Sequence, residues 1–413
     1  MNKVRIAIIG AGASGCFCAV NIKEELPFSD IYVFERQDKP MQKLLLTGGG
    51  RCNITNTFEN IKSFATIYPR SNKLMRSLFY KFNNEDLIRW FENKGVKLYA
   101  QEDKRVFPVS NSSKEVADTL YREMIHNGVK IITNTTVRKI EKENEKFILT
   151  TEDKDNTKWE FDKVVVCSGS FTENLSGKML SPLSLNIVQP VASLFSFNVD
   201  NNWCKKLMGL SVENVSLKIA GTKFKSSGSL LFTHCGISGP VVLKLSSFAA
   251  RFLYEKNYQA KILINWYNDK TDEQIRDIIL NIANIHSQKL VTNYRIENIS
   301  SKHWEYFLEK ANIPFTFRWS SLTPKHINRL VSLLSCDEYD VVGKSNFKEE
   351  FVTCGGVDIK NIDVETLESK QHKGLFFAGE VLDIDAITGG FNLQATWTTA
   401  FVVAKSIIEK EKI

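Results

Sequence analysis

The sequence predicts an α/β fold, and three observations predict it. An apolar, β-branched run opens the chain at Val4 to Ile9; a glycine-rich turn and a helical pattern follow; and a second run of the same kind, "GLFF", returns far away at Gly374. Strands that are apolar along their whole length are buried on both faces, as in parallel sheets covered by helices. Between the two runs the pattern turns to short alternating strands and amphipathic helices. The chain therefore reads as one α/β domain interrupted by an insert.

The elements follow in order. A helix is expected from about Ser14 to Glu25, stopped before Pro27, and a strand at Ile31 to Glu35 completes a βαβ unit. Asn84 followed by Leu87, Trp90 and Phe91, with Gly95 beyond, reads as a capped amphipathic helix. Ser112-x-x-Glu115 has the spacing of a capping box ahead of Val116, Leu120 and Met124, with Gly128 as the stop. From Lys130 to Val166 the segments "KIITNTTV", "KFILTT" and "KVVVCSG" read as a small meander and a return to the central sheet. Residues 190–267 continue in β character, with Val215, Leu217 and Ile219 alternating before a Gly221 turn.

Thr271-x-x-Gln274 opens a helix carrying Ile275, Ile278, Ile279 and Ile282, and Thr323-Pro324 opens one carrying Ile327, Leu330, Val331 and Leu334. The domain boundaries this predicts are 1–190 for the first part of the α/β domain and 191–267 for a β-barrel-like insert. A helical subdomain follows at 268–335, then a return through the barrel at 336–355 and the end of the α/β domain at 356–413.

Composition bounds the function. A 413-residue chain of 47.0 kDa, 43% hydrophobic and 24% charged, is that of a soluble globular protein of two or three domains. The net charge of +7 permits an anionic partner, but basic and acidic residues are interleaved and no basic block stands out, which argues against a nucleic-acid binder. Eight cysteines include no C-x-x-C pair, so a redox dithiol or zinc ribbon is not indicated, and the histidines lack ligand spacing, so no metal site is expected. No apolar run reaches the ~18 residues of a spanning helix, and a strand from Val4 leaves no room for a signal peptide. The cytoplasm is the expected location, with no membrane partner.

Gly10-Ala-Gly12-Ala-Ser-Gly15 is G-x-G-x-x-G placed between strand and helix, with Glu35 twenty residues on at a strand end. The first glycine permits the turn, the second the approach of a pyrophosphate, the third close helix–strand packing; the helix amides hold phosphate, and Glu35 can accept ribose hydroxyls. A second glycine turn, Thr388-Gly389-Gly390-Phe391-Asn392, opens the last helix behind the strand that ends in Gly379-Glu380. An extended dinucleotide such as FAD needs a second anchor for its flavin end, and a positive helix terminus there suits the charge of a reduced ring; a plain strand–turn–helix is the alternative. "KLLLTGGGRCNITN" sets flexible backbone beside Arg51, Asn53 and Asn56, suited to phosphate or a ring, or else a solvent loop with a structural arginine. Cys167-Ser168-Gly169 stands where many two-dinucleotide flavoproteins have Ala-Thr-Gly. His234, beside Cys235 in "LFTHCGISGP", is a weak catalytic candidate as a proton carrier; a packed-turn histidine is the alternative.

On the N-terminal motif with Glu35, "LLLTGGGRCNITN", "RVFPVSNSSKEVADTL", "LFTHCGISGP" and "GEVLDIDAITGGFNLQATWTTA", the chain resembles the YhiN/BaiN-type (aminoacetone oxidase-like) family of bacterial NAD(P)/FAD-dependent oxidoreductases. The resemblance implies a Rossmann-like FAD-binding domain split in sequence, an inserted β-barrel-like domain and a small helical domain. It also implies FAD contacts from Gly10, Gly12, Ala13, Ser14, Gly15, Glu35, Arg36, Lys43, Arg51, Cys52, Asn53, Val137, Gly379, Glu380, Asp385, Gly390, Phe391, Asn392 and Leu393. Where the family usually has a Gly-Gly pair and a segment like "STGDGY", this chain runs "GSFTENLSGKMLSPLSLNIVQP". The expected activity is hydride transfer between flavin N5 and a small organic substrate held between the FAD domain and the insert. NAD(P)H, docking transiently, or oxygen is the other redox partner, and a nucleotide-bearing binding protein or RNA-modifying flavoprotein is the alternative.

Overall fold

Five strands form the central sheet, all parallel, in the order Leu375–Phe377, Lys163–Val166, β1 (Arg5–Ile9), β2 (Asp30–Phe34), Lys130–Ile132. Its centre is the register Val165–Ile8–Val33, three β-branched residues with no exposed surface, which explains the unbroken apolar runs. The helix α1 (Ala13–Glu25) leads from β1 to β2, and the C-terminal helix Phe391–Glu411 packs beside it. Phe17 of α1 meets Trp397 of the last helix at 5.3 Å and Trp90 at 4.6 Å, both tilted. Such pairs add about 0.5–1.5 kcal/mol each beyond the area they bury. The two ends of the sequence are thereby one core.

The computed structural model describes residues 3–152, 156–200, 202–268, 270–345 and 352–412. They fall into two units, Met1–Val191 with Val352–Ile413, and Ala192–Phe351, each with its own hydrophobic core. In the second unit six antiparallel strands close a barrel in the order Phe197–Val199, Gly236–Ser238, Lys225–Thr233, Ser211–Ile219, Ala260–Asn265, Asp337–Lys344. Closure removes the edges on which such strands aggregate. The helices Asp272–Ile285, Ser301–Lys310 and Pro324–Ser335 belong to the same unit. Thr271 and Gln274 close the expected capping box, and at Thr323 the reciprocal partner is His326. Among the described residues no helix is long and apolar enough to cross a membrane.

Three local readings need correction. The helix Asn84–Asn93 is capped by Asn83, which forms a full box with Asp86; Asn84 lies inside it and spends its side chain on the Thr57 carbonyl at 3.1 Å. Ser112 does precede the helix Ser113–His126, but its side chain caps nothing, and the Glu115 carboxylate accepts from Ser110 instead of closing the reciprocal half of the box. The stretch Lys130 to Val137 is not one meander strand: Lys130–Ile132 pairs with β2 as the sheet edge, a positive φ at Asn134 turns the chain, and the meander starts at Thr136. Local alternation cannot separate these, since an edge strand and a meander strand carry the same period.

A buried polar cluster lies within the second unit. Asp337 is fully buried and accepts hydrogen bonds from Trp266 Nε1 (3.2 Å), Tyr306 Oη (2.7 Å) and Lys310 Nζ (2.5 Å). Burial raises its pKa even so, with Lys310 opposing the rise. His303, 1% exposed, sits among Phe232, Trp266 and Phe307, and neither ring nitrogen has a partner among the described residues. Burial depresses its pKa to about 3, so the ring is neutral at physiological pH.

Candidate cofactor site

At the carboxyl end of β1 the loop to α1 is shaped by its glycines. A Cβ on Gly15 would lie 1.9 Å from the Gly10 carbonyl oxygen, so helix and strand could not approach as they do. Gly12 is different: its backbone is extended, and a Cβ there would meet nothing within 4 Å. That open space belongs to a cavity of ≈ 880 Å³, within the roughly 300–1,000 Å³ of cofactor and ligand sites. Its walls come from the β1–α1 loop, the Glu35–Lys43 segment, Thr135–Val137 and the segment between Cys167 and Met179. Glu35 Oε2 accepts from the Ala11 N–H and Oε1 from the Gln37 N–H, both at 2.9 Å. This pins the carboxylate at the cavity wall and leaves oxygen lone pairs for hydroxyl donors.

As is also so for the helices Asn72–Phe79, Ser113–His126 and Pro240–Phe248, no side chain caps α1 or the C-terminal helix. Their first amides, with the positive helix ends behind them, are thus open to an anionic group. Gly390 precedes the second of these with φ +91°, and a Cβ there would fall 2.3 Å from the Thr55 carbonyl oxygen. Asn53 ties the same point: its amide oxygen accepts from Gly390 N–H and its NH₂ donates to the Thr55 carbonyl, each at 2.9 Å. Asn56, at the end of the "KLLLTGGGRCNITN" stretch, also donates to the Gly389 carbonyl (3.1 Å), and Tyr68 donates to the Phe391 carbonyl (3.0 Å).

All nineteen expected contact positions fall within the first unit. Gly10, Gly12, Glu35, Arg36, Lys43 and Val137 line the large cavity. Gly379, Glu380 and Asn392 line a separate small void of ≈ 10 Å³. Lys43 Nζ bonds Glu380 Oε2 at 2.8 Å and links the two groups, with Ser170 Oγ on the same oxygen at 3.2 Å. Ala13, Ser14 and Gly15 form the first turn of α1, and Ser14 lies against Gly379, its Cβ 3.1 Å from where a Gly379 Cβ would stand. Arg51 stacks on Phe107 at 4.5 Å. Cys52, buried at φ +58°, has its thiol pushed up to about 12 by burial, against a hydrogen bond to Thr47; it is a packing thiol, not a thiolate.

Phe391 is buried, with Phe58 edge-on at 5.2 Å, and Leu393 packs half-buried beside it. Asn392 spends its amide on the Ala386 N–H and carbonyl, both at 2.9 Å. Asp385 is fully buried with its carboxylate gripped by both Arg70 nitrogens, so it reads as the brace of the loop ahead of Gly389. His234 belongs to the other unit, in an exposed turn between two barrel strands.

The sequence reading marked Cys167-Ser168-Gly169 but missed Arg70, Ser170 and the rest of that wall, from Thr172 to Met179. Arg70 stands alone in a loop with no motif around it. The wall belongs to the segment in which this chain departs from the resembled pattern, so no spacing announced it. Its turn Glu173–Gly177 places Leu175 and Ser176 at the cavity. The open Gly12 cradle, the uncapped start of α1 and the Glu35 acceptor fit the adenosine diphosphate half of a flavin dinucleotide, while the ≈ 10 Å³ void at Gly379, Glu380 and Asn392 is about the size of one water.

The HI0933-like protein Rossmann domain family matches residues 4–406. A ribosomal RNA dihydrouridine synthase of Haemophilus influenzae is 27% identical over 417 residues, covering 97% of both chains. A 3-dehydro-bile acid delta(4,6)-reductase of Clostridium scindens is 25% identical, covering 98% of this chain and 99% of the other. Among solved structures, a 3-ketosteroid delta1-dehydrogenase from Sterolibacterium denitrificans has the same fold at TM-score 0.53 and 10% identity, over 99% of this chain and 100% of that one. A 3-ketosteroid-delta4-(5alpha)-dehydrogenase from Rhodococcus jostii follows at 0.51 and 12%, over 98% and 97%. With a parallel-sheet nucleotide domain, a six-stranded barrel insert and a family match across nearly its whole length, this chain belongs to the HI0933-like, YhiN/BaiN-type family of flavin-dependent oxidoreductases.

Proposed function

We propose that the protein is an FAD-dependent reductase that adds two hydrogens across a carbon–carbon double bond conjugated to a carbonyl, with NAD(P)H as the electron source. The observation that carries the FAD assignment is the open Gly12 cradle at the start of α1, on the ≈ 880 Å³ cavity that Glu35 also lines. When bound, the isoalloxazine supplies two-electron hydride chemistry at N5. The reduction reading comes from chemistry common to two relatives of the same length: dihydrouridine differs from uridine by two hydrogens across a ring C=C beside a carbonyl, and a delta(4,6)-reductase is named for reducing such bonds. Both need a hydride at the carbon remote from the carbonyl and a proton at its neighbour.

The chain's own residues have stated tasks in this reading. The α1 amides and Lys43 would hold the diphosphate and Glu35 the adenosine ribose, and the amides of Phe391, Asn392 and Leu393 would supply donors that stabilise negative charge on the ring. The test is anaerobic. Protein carrying FAD is reduced with NADPH or NADH, then mixed with a cyclic dienone, uridine, a uridine-containing RNA, or oxygen. Return of the oxidised flavin spectrum with a dienone or RNA, faster than with buffer alone, is the expected result. Reduction by an amine with reoxidation only by oxygen makes the enzyme an oxidase and refutes the proposal.

A further inference from the structure

The large cavity of the first unit has an end whose chemistry differs from that of its glycine turn. The Thr135 N–H donates to the Glu35 carbonyl at 2.8 Å, so Thr135–Val137 stands directly beyond the residue that would hold the adenosine ribose. The short helix Lys178–Leu180 packs against the strand Thr136–Glu143 that begins there. Ahead of that helix the turn Glu173–Gly177 is wider than an α-turn, because the Gly177 N–H reaches back five residues to the Thr172 carbonyl at 2.9 Å. Single π-turns of this kind are rare and concentrate at functional sites. This one is tied down at Ser176, 3% exposed, whose hydroxyl lies 3.4 Å from that of Ser168. The wall that results presents a half-buried Leu175 and a buried Met179 to the cavity.

Among the described residues no charged side chain lines the cavity from Thr135–Val137 or from Thr172–Met179; Glu173 and Lys178 of the same segment line a different recess. Lys43, the cation that joins the cavity to Glu380, lies on another part of the wall. A flat, uncharged ring gains from an apolar wall in proportion to the area it takes out of water, and a methionine sulfur adds a favourable contact with an aromatic ring. Adenine is the flat, uncharged ring attached to the ribose on the Glu35 side of the molecule. We propose that Leu175 and Met179, beside Val137, form the adenine subsite, so that a segment outside the glycine motifs sets how tightly the dinucleotide is retained. This is the stretch in which the chain departs from the family's usual segment, so the grip belongs to its own residues. The inference rests on the FAD reading of the same cavity; the electron donor and the substrate do not enter it.

The experiment titrates FAD into deflavinated, full-length protein, followed by flavin fluorescence, and repeats the titration with ADP as competitor. ADP carries the adenine and no isoalloxazine, so it reports on this end of the cavity alone. Leu175→Ala is expected to weaken FAD and ADP alike, by roughly fivefold to tenfold. Leu175→Met, apolar and of similar volume, should keep both affinities within about twofold. Met179→Leu, which loses the sulfur and keeps the volume, should weaken both by about twofold to fivefold. Neither Leu175→Ala, at a half-buried position, nor Met179→Leu empties a core site, and Tm of the deflavinated variants checks that each is folded. Unaltered FAD and ADP affinities in Leu175→Ala and Met179→Leu overturn the subsite and leave the FAD reading standing. FAD weakened with ADP unaffected also overturns it, since the isoalloxazine would then lie on this wall, as does ADP that fails to compete even in large excess. Protein that cannot be loaded with FAD at all overturns both readings.

Discussion

Gly12→Ala separates a ligand-directed glycine from an architectural one. Gly12 has φ −81° and ψ −171°, a conformation open to alanine, and a Cβ there meets no atom within 4 Å. Alanine is a poorer helix start than glycine by a few tenths of a kcal/mol to about 1, while the less flexible unfolded chain returns about 0.4–1 kcal/mol. The two offset, so Tm of the FAD-free protein should move by less than about 4 °C. In the holoprotein the methyl fills the cradle where the diphosphate must reach the α1 amides. Losing one or two charge-assisted hydrogen bonds, at about 1.5–3 kcal/mol each, weakens FAD binding by roughly 100-fold. Gly15→Ala is the contrast: its Cβ would stand 1.9 Å from the Gly10 oxygen, so the apoprotein itself loses about 2–4 kcal/mol. Titration of FAD into deflavinated protein, with Tm of both apo variants, measures each arm. FAD affinity for Gly12→Ala within threefold of the unaltered protein would refute the reasoning, as would an apo Tm loss equal to that of Gly15→Ala.

Lys43→Ala removes a side chain 61% exposed on the cavity wall; apo stability should change by under about 1 kcal/mol, while FAD affinity falls roughly tenfold and less so in high salt, as the same titration at two salt concentrations will read. Asp385→Asn deprives a buried guanidinium of its countercharge and should cost about 3–5 kcal/mol, seen as a lower urea midpoint for the first unit; an unchanged midpoint rejects the brace role. For His303 the sign follows from protonation: below pH 6.5 the unfolded chain takes up a proton that the folded ring, depressed to about 3, does not. The second unit is therefore at full stability above pH 6.5 and loses about 2 kcal/mol by pH 5. His303→Phe should remove that loss, as followed by urea unfolding on the fluorescence of Trp266, Trp304 and Trp319; equal pH dependence in both proteins rejects it.

The ends of this chain are legible in the sequence. A both-faces-buried strand, G-x-G-x-x-G, Glu35 and the return at "GLFFAGE" are local signals, because each glycine and each apolar run answers a demand made within a few residues of it. The insert was legible as β character with helices opened by Thr271 and Thr323, since alternation and capping are also short-range. What the sequence could not declare is which strands close on which, because register across 100 or more residues depends on packing and leaves no periodic trace. The six-strand barrel, the Asp385–Arg70 pair across 315 residues and the Lys43–Glu380 bond across 337 are of that kind. So is the wall from Cys167 to Met179, which becomes a cavity surface only once the parallel sheet brings the ends of β1 and Lys163–Val166 side by side. Short-range chemistry marked the glycine turns and Glu35; long-range burial, which alone rewards closing loops of that length, decided what shape surrounds them.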